Sequence, residues 1–258
     1  MLSTTTGSPV LISGAASGIG RAIALRLATE GRPVALLDRN AEALALAAKE
    51  AEREGSPAAL ALVADVADGA AVRAAVADAV RALGLLGGLA SAAGILEPGG
   101  LADVTSASWE RHFAVNTTGV LHLLQHATAQ MSDGGAVVVI SSNAARVPRT
   151  GLLAYAASKA ATSALTRSAG LELAARRIRC NVIEPGSTDT AMQRDLWPDA
   201  EVGRASALDG DPSAYRLGIP LGRIADPDDI AGVAAFLLSD AARHVTLQQL
   251  FVDGGASL

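Results

Sequence analysis

Short apolar runs of strand length alternate with segments of helical period over most of this chain, and few folds accommodate that pattern. A strand followed by a helix before its next partner pairs in parallel, so the alternation predicts repeated βαβ units around a buried parallel sheet. The expected strands are Val10 to Ser13, Pro33 to Leu37, Leu60 to Ala64, Gly88 to Ala92, Ala136 to Ser141, Ile178 to Ile183 and Gln249 to Val252. Helices are expected over Ile19 to Glu30, Ala41 to Glu54 and Ala70 to Leu83, then near residues 109 to 131, 154 to 175 and 227 to 239. Gly31 and Gly55 stand where helix C-caps belong.

The fold class that follows is α/β: a single-domain Rossmann-type, doubly wound fold over residues 1–258, its seven-stranded parallel sheet flanked by helices. Aromatics make up 3% of the chain, so the core must come from Ala, Leu, Val and Ile. The segment from Gly186 to Arg223 breaks the alternation, being rich in Pro, Gly, Asp and Ser. It follows a strand end, where loops border the ligand crevice of an open sheet, and it reads as a substrate lid.

Several function classes drop out on charge and composition. The net charge is -5 with dispersed basic residues, so no cationic stripe awaits nucleic acid. Met1 to Val10 lacks a basic and then apolar leader pattern. The longest stretch without Asp, Glu, Lys or Arg, His112 to Ser132, contains His, Gln, Asn and Thr and makes a poor membrane span. The single Cys180 agrees with a reducing, cytoplasmic setting. His122 and His126 stand four residues apart, but neither the Glu of a zinc-protease helix nor a third ligand accompanies them, so no metal site is expected.

Cofactor chemistry is written at the strand ends. Ser13-Gly14-Ala-Ala-Ser17-Gly18-Ile19-Gly20 joins the first strand to the first helix, where backbone amides and a helix N-terminus can face a pyrophosphate. Its GxxxGxG spacing is also compatible with a bare tight turn, but the first βα crossover is the nucleotide position. Asp38 follows about twenty residues on, at the end of the second strand. A carboxylate there accepts from ribose hydroxyls and repels a 2′-phosphate, which favours NAD over NADP, although Arg39 beside it could pair with such a phosphate. The alternative for Asp38 is a simple helix cap. Asp65-Val66 and Ala93-Gly94 end the third and fourth strands along the same crevice; Asp65 could accept from an adenine amino group and Gly94 would let the chain pass close to a ribose, although either dipeptide taken alone reads equally as a simple turn.

At the chemical end, Tyr155 and Lys159 share a helix face four residues apart. A phenol with a pKa of about 10 is a poor base near neutrality, and a neighbouring ammonium is expected to lower it. Ser142, after the fifth strand, can hold the substrate oxygen while Tyr155 exchanges its proton and a hydride leaves the same carbon. A tyrosine and lysine at this spacing are ordinary on a helix surface. Their convergence with the glycine turn and Asp38 on one end of a sheet is not.

With these marks, and with Asn116, Pro185-Gly186 and Val252-Asp253-Gly254-Gly255, the chain resembles the short-chain dehydrogenase/reductase family over essentially its whole length. The resemblance implies that Asn116 holds a proton-relay water near Lys159 and that Lys159 binds the nicotinamide ribose. It also implies that Thr188 and Thr190 approach the carboxamide and that the protein is a homotetramer. Ser13 and Ser91 replace the family's usual Thr and Asn, which is expected to loosen local hydrogen bonds.

Within that family the second half is similar to dehydrogenases of catechol-siderophore pathways, which oxidise the C3 alcohol of a cyclohexadiene carboxylic acid. Pro148-Arg149-Thr-Gly151, Arg179 to Val182, Pro185 to Thr190 with Met192-Gln193-Arg194, Leu217 to Gly222, and His244 to Gln248 carry the likeness, together with Ala93 to Leu96. It implies a cyclic carboxylic acid substrate whose carboxylate needs a guanidinium, with Arg146, Arg149 and Arg194 as candidates and Gln193 beside them. Glu184 is unusual near a pocket for an anion. Either it points away, or the substrate bears an amino group, as a dihydro-hydroxyanthranilate does. A nucleotide-binding scaffold without turnover would have no use for Tyr155 and Lys159.

Overall fold

A computed structural model describes residues 7–197 and 199–257. Most of the Met1 to Val10 stretch read for a leader lies outside the described residues. The strands are β1 (Val10–Ser13), β2 (Val34–Asp38), β3 (Ala59–Val63), β4 (Leu86–Ser91), β5 (Met131–Ile140), β6 (Arg179–Pro185), β7 (Gly210–Asp211), β8 (Arg216–Leu217) and β9 (Gln249–Val252). The helices are α1 (Gly18–Thr29), α2 (Ala41–Arg53), α3 (Gly69–Leu83), α4 (Ser106–Phe113), α5 (Gly119–Ala129), α6 (Leu153–Leu173), α7 (Ala191–Arg194), α8 (Ala200–Asp209) and α9 (Pro227–Leu238).

Seven strands form one all-parallel sheet in the order β3-β2-β1-β4-β5-β6-β9, as the alternation predicts. The order reverses direction between β1 and β4, which opens a crevice at their C-terminal ends. All four residues of β1 are buried because helices cover both faces. Val10 and Ile12 enter the core beneath α1, α2 and α9, whereas Leu11 enters the one beneath α3 and α5.

Glycine closes α1 and α2 as expected. Gly31 and Gly55 have φ of 72° and 113°, and the amides of Arg32 and Ser56 reach back to the carbonyls of Leu27 and Ala51 at 3.1 and 3.0 Å. The C-terminus of α9 is closed differently. Arg179 donates to Leu237 O and Ser239 O at 2.7 and 3.0 Å, and Arg32 to Leu238 O at 3.3 Å, so two buried guanidiniums satisfy carbonyls the helix leaves free. Cys180 lies on β6 under α6, where a Cβ at Gly170 would stand 2.6 Å from its own Cβ. Burial pushes this thiol up to about 12, which leaves it unreactive at neutral pH.

Two local departures matter. The helix expected near 109 to 131 is α4 and α5 joined by a wide π turn at Ala114–Thr118. β5 starts at Met131 and shifts register against β4 before Ala136, so the predicted strand is its inner half. The irregular segment 186–223 contains α7, α8 and the small antiparallel hairpin of β7 with β8. It folds over the glycine turn, and the Thr190 methyl stands 3.3 Å from where a Cβ on Gly18 would be. Among the described residues no helix is long and apolar enough to cross a membrane.

Candidate active site

The strand ends and segment 186–223 enclose a cleft of ≈ 580 Å³, within the range of small-molecule sites. The glycine turn forms one wall. Gly14 has φ 68°, and a Cβ on it would lie 2.7 Å from Ala93 N; one on Gly20 would lie 2.1 Å from Gly14 O. Glycine is therefore required for α1 to start this close to β4. Ser17 occupies the N-cap position without a side-chain cap, and with Gly18 and Ile19 it lines the cleft at the helix's unsatisfied amides.

Ser13, read from sequence as a weaker tie, accepts from Ala92 N and Ala93 N at 3.2 and 3.3 Å, so the link between β1 and β4 is intact. The loosening falls at Ser91, whose buried hydroxyl has no hydrogen-bond partner among the described residues. Asp38 accepts from Ala16 N at 3.1 Å and from Asn40 N at 3.0 Å while lining the cleft. It fastens the glycine loop. The cap of α2 is Asn40, which accepts from Ala43 N at 3.1 Å, so Asp38 is not merely that cap. Asp65 and Val66 also line the cleft, with Asp65 accepting from Ala67 N at 2.9 Å. Arg39 reaches the same wall.

Beyond Ala93, a Cβ on Gly94 would stand 3.3 Å from both Lys159 Nζ and Asn116 Oδ1. Pro185, Gly186, Thr188 and Thr190 complete the wall. The bare glycine cradle, the helix N-terminus, the carboxylate after β2 and the open space above Gly94 fit a nicotinamide dinucleotide.

The reacting groups sit at the other end. Tyr155, Lys159 and Ser142 line the cleft while each is more than nine-tenths buried. Lys159 Nζ lies 5.9 Å from the centre of the Tyr155 ring and donates to Ile140 O at 2.9 Å. Burial brings its ammonium down to about 8. The phenol is shifted upward by burial, against the pull of the Ser142 hydroxyl. That reverses the downward shift expected from the lysine, since removal from water outweighs a cation directed at a backbone carbonyl.

Asn116 does not line the cleft. Its side chain accepts from Ile95 N at 2.8 Å and donates to Ile95 O and Ser158 Oγ, both at 3.0 Å. The wide turn swings it into this position, where it clamps the loop after β4 to α6. Sequence reasoning missed His112, which is fully buried with its ring 6.4 Å from that of Tyr155 and edge-on to it. Its Nε2 accepts from Glu97 N at 3.1 Å, leaving Nδ1 to donate to Ser108 O at 2.8 Å. No local pattern announces it, because the Ser108 carbonyl bond is an ordinary i, i+4 contact and the distinguishing partners, Glu97 N and the Tyr155 ring, come from distant parts of the chain.

The arginines sort themselves by geometry. Arg149 and Gln193 line the cleft; Arg146 and Arg194 do not. Arg146 lies 3.6 Å from Glu184 and 4.1 Å over the Phe251 ring, and Arg194 pairs with Asp189 at 2.5 Å. Both are held in local ion pairs away from the cleft lining. Arg216, which the sequence did not single out, lines the cleft instead. Glu184 is fully buried outside the cleft, accepting from Ser163 Oγ at 3.1 Å, so it points away and gives no ground for an amino-bearing substrate. His122 is bonded to Val66 O at 3.0 Å, and among the described residues no three His, Cys, Asp or Glu gather as a metal site.

A family model described as enoyl-(acyl carrier protein) reductase matches residues 14–257. The 2,3-dihydro-2,3-dihydroxybenzoate dehydrogenase of Bacillus subtilis is 43% identical over 254 residues, 98% of this chain and 97% of that one. The enzyme of the same name from Escherichia coli is 42% identical, covering 98% of each. A short-chain dehydrogenase from Burkholderia cenocepacia, solved in complex with NADP, superposes with a TM-score of 0.88 at 34% identity, covering 99% of this chain and 100% of that one.

Proposed function

The chain belongs to the short-chain dehydrogenase/reductase family and is an oxidoreductase acting on CH–OH groups, and within that role we propose that it oxidises 2,3-dihydro-2,3-dihydroxybenzoate to 2,3-dihydroxybenzoate with NAD. The observation that carries this reading is a guanidinium, Arg149, in the same cleft as Ser142, Tyr155 and Lys159. A ring acid placed there has its carboxylate paired and its alcohol beside the phenol.

In this mechanism Ser142 holds the alcohol oxygen, and the Tyr155 phenolate takes its proton as the C–H hydride departs. Bound NAD supplies the hydride acceptor. Lys159 holds the nicotinamide ribose and stabilises the phenolate, with Asn116 supporting a relay water behind it. Asp38, held by the Ala16 and Asn40 amides, accepts from the adenosine ribose and disfavours a 2′-phosphate. Gln193 contributes to the substrate wall, and segment 186–223 acts as the lid. The ketone formed tautomerises to an aromatic catechol acid, which pulls the reaction forward and supplies a catechol siderophore or related metabolite. We place the enzyme in the cytoplasm, a setting that its single free thiol supports, and as a homotetramer by the family resemblance.

A screen of cyclic dihydrodiol acids, their neutral analogues and simple secondary alcohols with NAD, read at the NADH absorbance, tests the proposal. Rapid oxidation of the diene acid with the appearance of a catechol ultraviolet spectrum supports it. Turnover of simple alcohols alone overturns it.

A further inference from the structure

Arg149 and Arg216 approach the cleft from different parts of the chain. Arg149 precedes α6, in the body of the fold; Arg216 stands on β8 in segment 186–223, registered against Asp211 of β7. Both side chains are half-buried and line the cleft that holds Ser142 and Tyr155. Among the described residues neither forms a salt bridge, although eight other arginines do. Arg216 Nη2 donates to Ser187 Oγ at 3.1 Å, which fixes the guanidinium beside the end of β6.

The local anions offset the pair only in part: Asp211 lines the cleft and its charge favours that of Arg216, but the two form no ion pair. Asp211 Oδ1 is occupied by the amides of Ser213 and Ala214 and by the Ser213 hydroxyl, capping a turn. Asp253, whose charge favours that of Arg149, accepts from Gly255 N and does not line the cleft. The two guanidiniums are close enough for the charge of Arg216 to disfavour that of Arg149, and burial disfavours both. Two half-buried cations facing one cavity without a carboxylate bridge are complementary to an anion arriving with the ligand.

We propose that Arg149 and Arg216 form a two-guanidinium clamp on the substrate carboxylate, so that substrate binding ties segment 186–223 to the body of the fold. The clamp rests on the reading of the substrate as a ring carboxylic acid. A lone Arg149 would recognise the acid with the lid open or closed. With Arg216 as the second jaw, the acid is gripped fully only when the hairpin of β7 and β8 is in place, and recognition and closure become one event.

The test compares inhibition by 2,3-dihydroxybenzoate and by catechol, its neutral counterpart, in wild type, Arg149→Met, Arg216→Met, Arg216→Lys and the double Met variant. NADH binding, followed by fluorescence, verifies that each variant folds. Wild type should prefer the acid, Arg216→Met should lose at least tenfold of that preference with NADH affinity within a few-fold, and Arg216→Lys should recover part of it. The double variant should lose less than the sum of the singles, as a shared carboxylate demands. Loss in Arg149→Met alone would overturn the clamp and leave the substrate reading standing. Weakened NADH binding in Arg216→Met, with acid preference intact, would overturn it by assigning Arg216 to the cofactor. A wild type that neither prefers the acid nor oxidises any dihydrodiol acid would overturn the substrate reading itself.

Discussion

Lys159 Nζ stands 5.9 Å from the centre of the Tyr155 ring while its hydrogen bond goes to the Ile140 carbonyl at 2.9 Å. The ammonium is thus anchored to the last residue of β5 and held one helical turn from the phenol. The pair is built to share a buried environment in which each charged form is disfavoured, the phenolate by burial and the ammonium likewise. Ligands that bring a positive charge or hydrogen-bond donors to this end of the cleft relieve the phenolate, which ties proton abstraction to a loaded site.

Tyr155→Phe removes the transferable proton and leaves the ring packed against His112. The turnover number should fall by roughly 10²-fold or more, with NADH affinity changed only a few-fold. Steady-state rates paired with fluorescence titration check this, and a variant with near-normal turnover would remove Tyr155 from the reaction.

Lys159→Met should raise the stability of the ligand-free protein while abolishing activity. The buried ammonium has fallen from 10.5 to about 8, so between those values the unfolded chain holds a proton that the folded chain has released. Stability from this group therefore rises with pH across that window, and the full penalty applies below about pH 8. The variant should exceed wild type by about 2 kcal/mol at pH 7, the burial penalty less one lost hydrogen bond. The gap should narrow toward pH 9.5. Urea denaturation at the two pH values decides it, and a gap independent of pH would contradict the burial argument.

Asp38→Asn keeps an oxygen that can accept from Ala16 N or Asn40 N and discards the charge. If repulsion of a 2′-phosphate sets the cofactor choice, the ratio of kcat/KM for NAD over NADP should drop at least tenfold, chiefly through better use of NADP. Asp38→Ala should in addition weaken both cofactors, because the glycine loop loses its tether. An unchanged ratio in the Asn variant would point to Arg39.

Glu184→Gln addresses a buried carboxyl outside the cleft. Burial holds it above the ordinary range, opposed by Ser163, Arg146 and Arg167. A raised folded value means that its contribution to stability is intact below the unfolded value and is lost as pH rises through the folded one. The neutral variant should match wild type near pH 4 and be the more stable of the two at pH 8. Thermal or urea melts across that range would show equal curves at pH 8 if the Arg146 contact fully compensates the buried charge.

The parts of the site legible in the sequence are those fixed by one element. Tyr155 and Lys159 meet because i and i+4 share a helix face, and Gly14, Asp38 and Asp65 reach the cleft because parallel strands end together. The arginines were not legible in this way. Arg146 is only three residues from Arg149, yet it turns to Glu184 and Phe251, and no local periodicity distinguishes them. Arg216 enters by way of a hairpin whose path is set by tertiary contacts, including its hydrogen bond to Ser187, twenty-nine residues earlier. The break at Asn116 was hidden for a similar reason: α4, the wide turn and α5 preserve a helix-like pattern, and the pull comes from Ile95.

That wide turn makes chain length, as well as side-chain identity, a parameter of the site. A π turn carries one residue more than an α-helix needs for the same rise. Deleting a residue between Ala114 and Thr118 would regularise the helix with α4 and α5 still in phase, and would remove the bulge that displaces Asn116. His112 would keep its place beside Tyr155, whereas Asn116 would lose its reach to Ile95 and Ser158. Substitutions at the solvent-facing positions of this helix can drift freely, whereas its residue count is locked by the loop it must reach.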